Sequence, residues 1–188
     1  MVFLRVISGT KKGYKIKAPK GQDTRPTKDR IKESLFNILG DISSESMVLD
    51  LYAGSGSIGI EFLSRGACKA YFVDRSYLSV KTIKENLRHT KLEDNSKVMK
   101  SDFAKAIGLL DKENIKFNYI FIDPPFGQNL IIKTLKRILE VDILSKDGLI
   151  IIEHEKDLIL KEKIDSLKRI DYRSYGNECL SFYIQNSR

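Results

Sequence analysis

The stretch VLDLYAGSGSIG, residues 48–59, passes from apolar residues around one acid into a glycine-rich turn and then into an apolar helical pattern. It predicts a buried strand over 47–52 and a helix over 57–65. Gly54, Gly56 and Gly59 satisfy G-x-G-x-x-G at that junction, where a tight turn lets a ligand approach the backbone. A strand, a glycine turn and a helix in this order are the opening unit of a parallel sheet covered on both faces.

Outward from this unit the alternation continues. Strands are expected at 69–74, 96–102, 117–123 and 148–155, and helices at 76–90, near 103–111, at 128–140 and near 157–167. Two last strands, near 168–175 and 178–184, meet at Gly176-Asn177, a tight-turn signal. Upstream, FLRVISG and YKIKAP flank TKKG as a short hairpin, followed by the loop KGQDTRPT. Thr27 is the expected N-cap of a helix over KDRIKESLFNIL. The expected fold is α/β: a Rossmann-like, doubly wound, mostly parallel sheet with a C-terminal antiparallel hairpin. A basic N-terminal β-hairpin and helix (1–40) precede the core (41–188), all in one domain.

Four of the expected strands end in acids, Asp50, Asp74, Asp102 and Asp123, and a fifth in Glu153 and Glu155. Ligands of open parallel sheets bind at these carboxyl ends, so the row implies a cleft for hydroxyls, amines or a cation. Asp74 follows Gly54 by twenty residues, the spacing of an acid that takes ribose hydroxyls. A nicotinamide dehydrogenase shares that pattern. Asp50, four residues before Gly54, would repel a pyrophosphate and attract a sulfonium or ammonium. S-adenosylmethionine carries both cations and a ribose, with no phosphate. Asp50 as a plain turn-capping acid is the simpler reading, and Asp102 is equally an ordinary helix N-cap. In the ligand-binding reading, Asp102 and Phe103 meet the adenine.

Asp123-Pro124-Pro125-Phe126 is the most specific segment. Two prolines remove two N–H donors and stiffen the loop, so its carbonyls point in set directions. An exocyclic amine on a nucleobase is a poor nucleophile because its lone pair is delocalised. A carboxylate and a rigid carbonyl that accept its hydrogens turn the lone pair toward an incoming methyl group, and those bonds strengthen as charge grows on nitrogen. Phe126 would stack on the base.

The chain has 188 residues and a net charge of +8, and it is 41% hydrophobic. Residues 1–40 hold ten Lys/Arg against three acids, so nearly all the excess lies there. That is the footprint of a polyanion-binding surface, with Lys11, Lys12, Lys15, Arg25, Thr27 and Arg30 as candidate contacts. A lysine-rich solvated face is the plainer alternative. No apolar run approaches the ~20 residues that cross a bilayer, and the start lacks the pattern of a secretory signal. Cys68 and Cys179 have neither metal nor disulfide spacing and are expected to be reduced, buried thiols. His89 and His154 are isolated, and no metal is expected.

Joined, these motifs resemble a class I methyltransferase acting on an exocyclic base amine. RVISGTKKGYKIKAPKGQDTRPTKDRIKESLFNIL (5–39), DLYAGSGSIGIEFLSRGA (50–67), FIDPPF and YGNECLSFY (175–183) resemble the bacterial guanine-N2 methyltransferases of small-subunit ribosomal RNA, the RsmD family. That resemblance implies S-adenosylmethionine at Asp50, Ala53, Gly54, Gly56, Asp74, Asp102 and Phe103. It implies the target guanine at Asp123, Pro124, Pro125 and Phe126, and Arg25, Thr27 and Arg30 near the cleft or the RNA. It further implies 16S rRNA, presented on the small ribosomal subunit, as substrate, and a monomeric cytoplasmic enzyme. An N6-adenine methyltransferase and a non-catalytic assembly factor are the alternatives.

Overall fold

The computed structural model describes residues 3–19, 29–125 and 129–186. Strands β1 (Phe3–Arg5) and β2 (Lys15–Lys17) pair antiparallel, Leu4 opposite Ile16, around a 3-10 turn at Gly9–Lys11. Leu4 and Ile16 are buried while Lys15 and Lys17 point outward, as the alternation of a one-sided hairpin requires. Helix α1 (Asp29–Leu39) follows, burying Ile31, Leu35 and Phe36. The expected cap at Thr27 lies outside the described residues.

The core then alternates through β3 (Met47–Leu51), α2 (Ser57–Ser64), β4 (Lys69–Asp74), α3 (Tyr77–Thr90), β5 (Ser96–Lys100), α4 (Phe103–Lys112), β6 (Phe117–Ile122) and α5 (Leu130–Leu139). The chain closes with β7 (Leu144–Glu155), β8 (Lys163–Ile164), β9 (Leu167–Tyr175) and β10 (Glu178–Gln185). Eight strands form one sheet in the order β5-β4-β3-β6-β7-β10-β9-β8. The pairs among β3 to β7 are parallel, and β10 inserts antiparallel between β7 and β9. The order reverses between β3 and β6, where the crevice of such a sheet opens.

Two apolar layers hold the sheet. On one face Val48, Phe72, Phe121, Ile151, Leu180 and Phe182 pack with side chains of the hairpin, α1, α2 and α3. On the other, Leu49, Leu51, Ile120, Ile122, Ile150 and Tyr183 pack with α4 and α5. Local chemistry sets the helix ends. Ser76 Oγ accepts from the Ser79 N–H at 3.3 Å at the start of α3, and Lys91 closes it in the left-handed region at φ 55°.

Three expectations need correction. The helix near 157–167 is absent: Asp165, at φ 51°, turns the chain so that β8 pairs with β9. Leu160, Ile164 and Leu167 have helical spacing, yet neighbouring strands supply the backbone with better partners. The Arg169 N–H donates to the Glu162 carbonyl at 2.7 Å, Arg169 Nη1 to the Leu160 carbonyl at 2.9 Å, and Tyr183 Oη to the Lys161 carbonyl at 2.7 Å. Ile159 is left 89% exposed, a poor fit to a core-facing helix. The strand expected at 148–155 begins earlier, at Leu144, and ends where expected, at Glu155. Cys68 is exposed; only Cys179 is buried, and both are free thiols. Among the described residues, no helix is long and apolar enough to cross a membrane.

Candidate active site

The strand ends at the reversal point bring the acids of the sequence together. Asp50, inside β3, is 2% exposed, and its Oδ2 accepts from the Gly59 N–H at 3.0 Å. Gly59 could hold no side chain, because a Cβ would lie 2.3 Å from the Phe72 ring. The third glycine of the motif therefore serves close packing of α2 on the sheet and leads its N–H to Asp50. Gly54 and Gly56 take positive φ, 53° and 76°, which turns the chain from β3 into α2. Ala53 is buried beneath that turn, its N–H on the Val73 carbonyl at 3.0 Å.

Asp74 ends β4 and ties the turn in place. Its Oδ2 accepts from the Gly54 N–H at 2.9 Å and its Oδ1 from the Ser76 N–H at 2.8 Å. Each carboxylate oxygen keeps a second lone pair for a ligand hydroxyl. Beside it a cavity is lined by Tyr52, Asp74, Arg75, Asp102, Phe103, Pro125 and Leu130, among others. Asp102 caps α4, its Oδ1 accepting from the Lys105 N–H at 3.0 Å, and it also borders this cavity. The cap and the ligand-facing reading thus coexist.

Tyr52 was not singled out by the motif, yet its backbone sits at φ 61°, a conformation that β-carbon crowding disfavours. Its ring lies 5.9 Å from that of Phe103, and its hydroxyl is 2.7 Å from Thr134 Oγ1. Burial pushes that phenol up to about 12, so it stays protonated. The signal in the sequence was an aromatic residue at the strand-to-turn corner.

Asp123 follows the last residue of β6 directly, with Pro124 and Pro125 beyond it. Phe126, like Arg25 and Thr27, lies outside the described residues. Burial pushes the Asp50 carboxyl up to about 7, with the Gly59 N–H working against the shift and the Asp74 charge adding to it. Asp123 also rises to about 7, by burial first and then by the charges of Asp50 and Glu178. Two carboxyls on adjacent strands thus sit near neutrality, where either can hold or release a proton at physiological pH.

The basic hairpin is fastened to this core by polar contacts that no motif announced. Lys32, fully buried, donates to the Arg5 carbonyl at 2.6 Å and Ser57 Oγ at 3.0 Å, and pairs with Glu61 at 3.6 Å. Burial pushes the Lys32 ammonium below its usual range while Glu61 pulls the other way. Glu61 accepts the Ile7 and Ser8 N–H groups at 2.8 and 3.0 Å. Asn86 accepts the Lys17 N–H at 2.9 Å and donates to the Ser55 carbonyl in the glycine turn at 2.8 Å. Lys12, Lys15 and Arg30 are exposed and Lys11 half-exposed. Two of these clips reach the glycine turn: Lys32 meets Ser57 at the start of α2, and Asn86 of α3 bridges Lys17 to Ser55. Only three-dimensional contacts could reveal them, since their partners are 25 to 69 residues apart.

Sheet order, glycine turn and strand-end acids define the class: S-adenosylmethionine-dependent methyltransferases of the Rossmann-like fold. Residues 4–184 match the family described as Conserved hypothetical protein 95, and the chain belongs to that family. It is 39% identical over 180 residues to "Putative rRNA methyltransferase YlbH" of Bacillus subtilis, covering 96% of this chain and 98% of that one. It is 34% identical over 187 residues to "Ribosomal RNA small subunit methyltransferase D" of Haemophilus influenzae, covering 93% and 94%. Among solved structures, "Putative methyltransferase yhhF from Escherichia coli" superposes with a TM-score of 0.85 at 27% identity over the full length of both chains. The family resemblance drawn from the sequence is borne out by these relatives.

Proposed function

We propose that this chain methylates the exocyclic N2 amine of a guanine in 16S rRNA, using S-adenosylmethionine, on the small ribosomal subunit and in the cytoplasm as a monomer. The observation that carries it is the placement of Asp50 on one strand and Asp123 just past the end of its neighbour at the sheet's reversal point, one beside the glycine turn and one in the Asp-Pro-Pro turn. The names of the relatives support ribosomal RNA of the small subunit as substrate.

The residues present fit the cofactor. Asp74 has lone pairs to receive ribose hydroxyls, and the apolar walls of Tyr52, Phe103 and Leu130 suit an adenine ring. Asp50 offers a buried negative charge to an ammonium, and Ala53, Gly54 and Gly56 leave room along the backbone. The cofactor supplies an electrophilic methyl group on a positively charged sulfur. The chain does the rest by positioning. Asp123 and a carbonyl of the Pro124-Pro125 turn accept the two amine hydrogens, so the nitrogen lone pair points away from the ring and toward the donor. As the N–C bond forms and the methyl–sulfur bond breaks, its electron pair staying on sulfur as a neutral thioether, the nitrogen would gain positive charge and its hydrogen bond to Asp123 would strengthen. Asp123, with a proton affinity near neutrality, is matched to take the proton that the methylated nitrogen then sheds. Phe126 stacks on the base. Lys11, Lys12, Lys15, Arg25 and Arg30 hold phosphates, with Thr27 as a further contact, while the base is splayed out to reach the site.

The test is incubation of unmethylated small subunits with labelled S-adenosylmethionine, followed by mapping of the modified nucleotide. One guanine carrying N2-methyl is the expected product. N6-methyladenine, or no incorporation into subunits or free RNA, would overturn the proposal.

A further inference from the structure

The Asp-Pro-Pro turn accounts for an amine, which both adenine and guanine possess, and leaves the choice between them unexplained. The sheet contains a further acid at the same place. Because β10 runs antiparallel to β7, it begins where β7 ends, with Glu178 opposite Glu155 and Leu180 opposite Glu153. The first residue of β10 therefore stands at the ligand-binding edge, among the carboxyl ends of parallel strands. Its side chain is directed to the face that also bears Leu180 and Phe182, by the alternation of a strand. Asp50 and Asp123 lie on that face too, as the alternate neighbours of Val48 and Phe121. Glu178 is 5% exposed, and its charge adds to burial and to the Asp50 charge in raising the proton affinity of Asp123. No part of the methyl-transfer chemistry described above uses it.

Guanine presents two adjacent donors on its pairing edge, the N1–H and the N2 amine. Adenine presents an amine beside N1, which is a bare acceptor. With Asp123 and the proline turn engaged on the amine, the next position along the base edge decides the matter. A carboxylate there accepts the guanine N1–H but meets the adenine N1 lone pair with repulsion. Glu153 is also buried, but it sits level with Asp123 on the intervening strand. Glu178, level with Glu155, lies two residues further out along the edge.

We propose that Glu178, at the start of the inserted antiparallel strand and on the same sheet face as Asp123, is the specificity residue that reads the N1–H of the target guanine. The inference rests on the guanine-N2 reading and explains its selectivity. The discriminating substrate is RNA with 2-aminopurine at the mapped position, which keeps the N2 amine and replaces the N1–H with an acceptor. The wild-type chain is expected to prefer guanine in kcat/KM by at least about 100-fold, as sites built to hydrogen-bond an N–H do. In Glu178→Gln the amide can donate to that acceptor, and the preference is expected to shrink to less than about tenfold. The ratio is taken on one preparation, so it does not depend on the fraction of folded enzyme. Glu178→Val, whose branched side chain suits a strand, removes both attraction and repulsion and is expected to narrow the preference as well. An unchanged preference in both variants overturns the role of Glu178 while leaving guanine methylation intact. A wild-type chain that methylates neither base overturns the guanine reading itself, and this inference with it.

Discussion

Asp74 and Asp123 both stand at strand ends of one sheet, yet they are held in opposite ways. Asp74 spends its two oxygens on the N–H groups of Gly54 and Ser76, so backbone donors fix its position. Asp123 is half-buried, and loss of solvation first, then the charges of Asp50 and Glu178, push its proton affinity up. The first arrangement suits a binding group that must stay still. The second suits a group that must meet positive charge developing in a reaction and then carry a proton. In the proposed function the edge would divide into a binding half and a reacting half, with Asp50 between them.

Substitutions should separate the halves. The largest effect is expected at Asp123→Ala, which should lower kcat by roughly 100- to 1,000-fold while S-adenosylmethionine binding, followed calorimetrically, persists. Equal loss of binding and turnover would erase the division. Asp74→Ala should do the reverse, weakening the cofactor by about 10- to 100-fold through lost charge-assisted hydrogen bonds, with kcat at saturation little changed.

Asp50 tests the boundary by pH. Its folded proton affinity lies above that of an unfolded aspartate, so the unfolded chain releases this proton first as pH rises. Stability from this group is full near pH 4 and declines as pH climbs to about 7. Asp50→Asn, which can still accept from the Gly59 N–H, should therefore stabilise the cofactor-free chain at pH 8 by about 1–3 kcal/mol. The gain should fade toward pH 4 in denaturant titrations, and a gain independent of pH would assign the effect to something other than charge. Cofactor affinity should move the opposite way, weakening as pH drops below 7 and Asp50 becomes neutral. The smallest effect is expected at the hairpin: Lys11→Ala and Lys12→Ala should each reduce the salt dependence of RNA binding by about one counterion, leaving kcat unaltered.

Most of the cofactor half was legible in the chain because its signals are local. A strand, three glycines and an acid twenty residues on lie within one βαβ unit, and the turn chemistry of Gly54 and Gly56 demands the residue that is there. The acceptor half was legible only as far as Asp123-Pro124-Pro125. Glu178 lies 55 residues downstream, in a motif quoted without a role, and its approach depends on β10 inserting beside β7. The 157–167 segment misled for a related reason. Its apolar spacing is helical, but the carbonyls of residues 160–162 are taken by Arg169 and Tyr183 across the sheet.

Local sequence set the alternation of strands and helices, the glycine turn, the Asp-Pro-Pro turn and the placement of positive charge in the first forty residues. Each is a matter of nearest-neighbour sterics, side-chain period or composition. Tertiary structure alone decided that Asp50, Asp123 and Glu178 share one face, that Lys32, Glu61 and Asn86 bolt the basic hairpin to the glycine turn, and that Asp50 and Asp123 sit near neutral proton affinity. Those are properties of burial and of charges brought close from distant positions. Desolvation and Coulomb terms depend on distances through space that spacing along a chain does not contain.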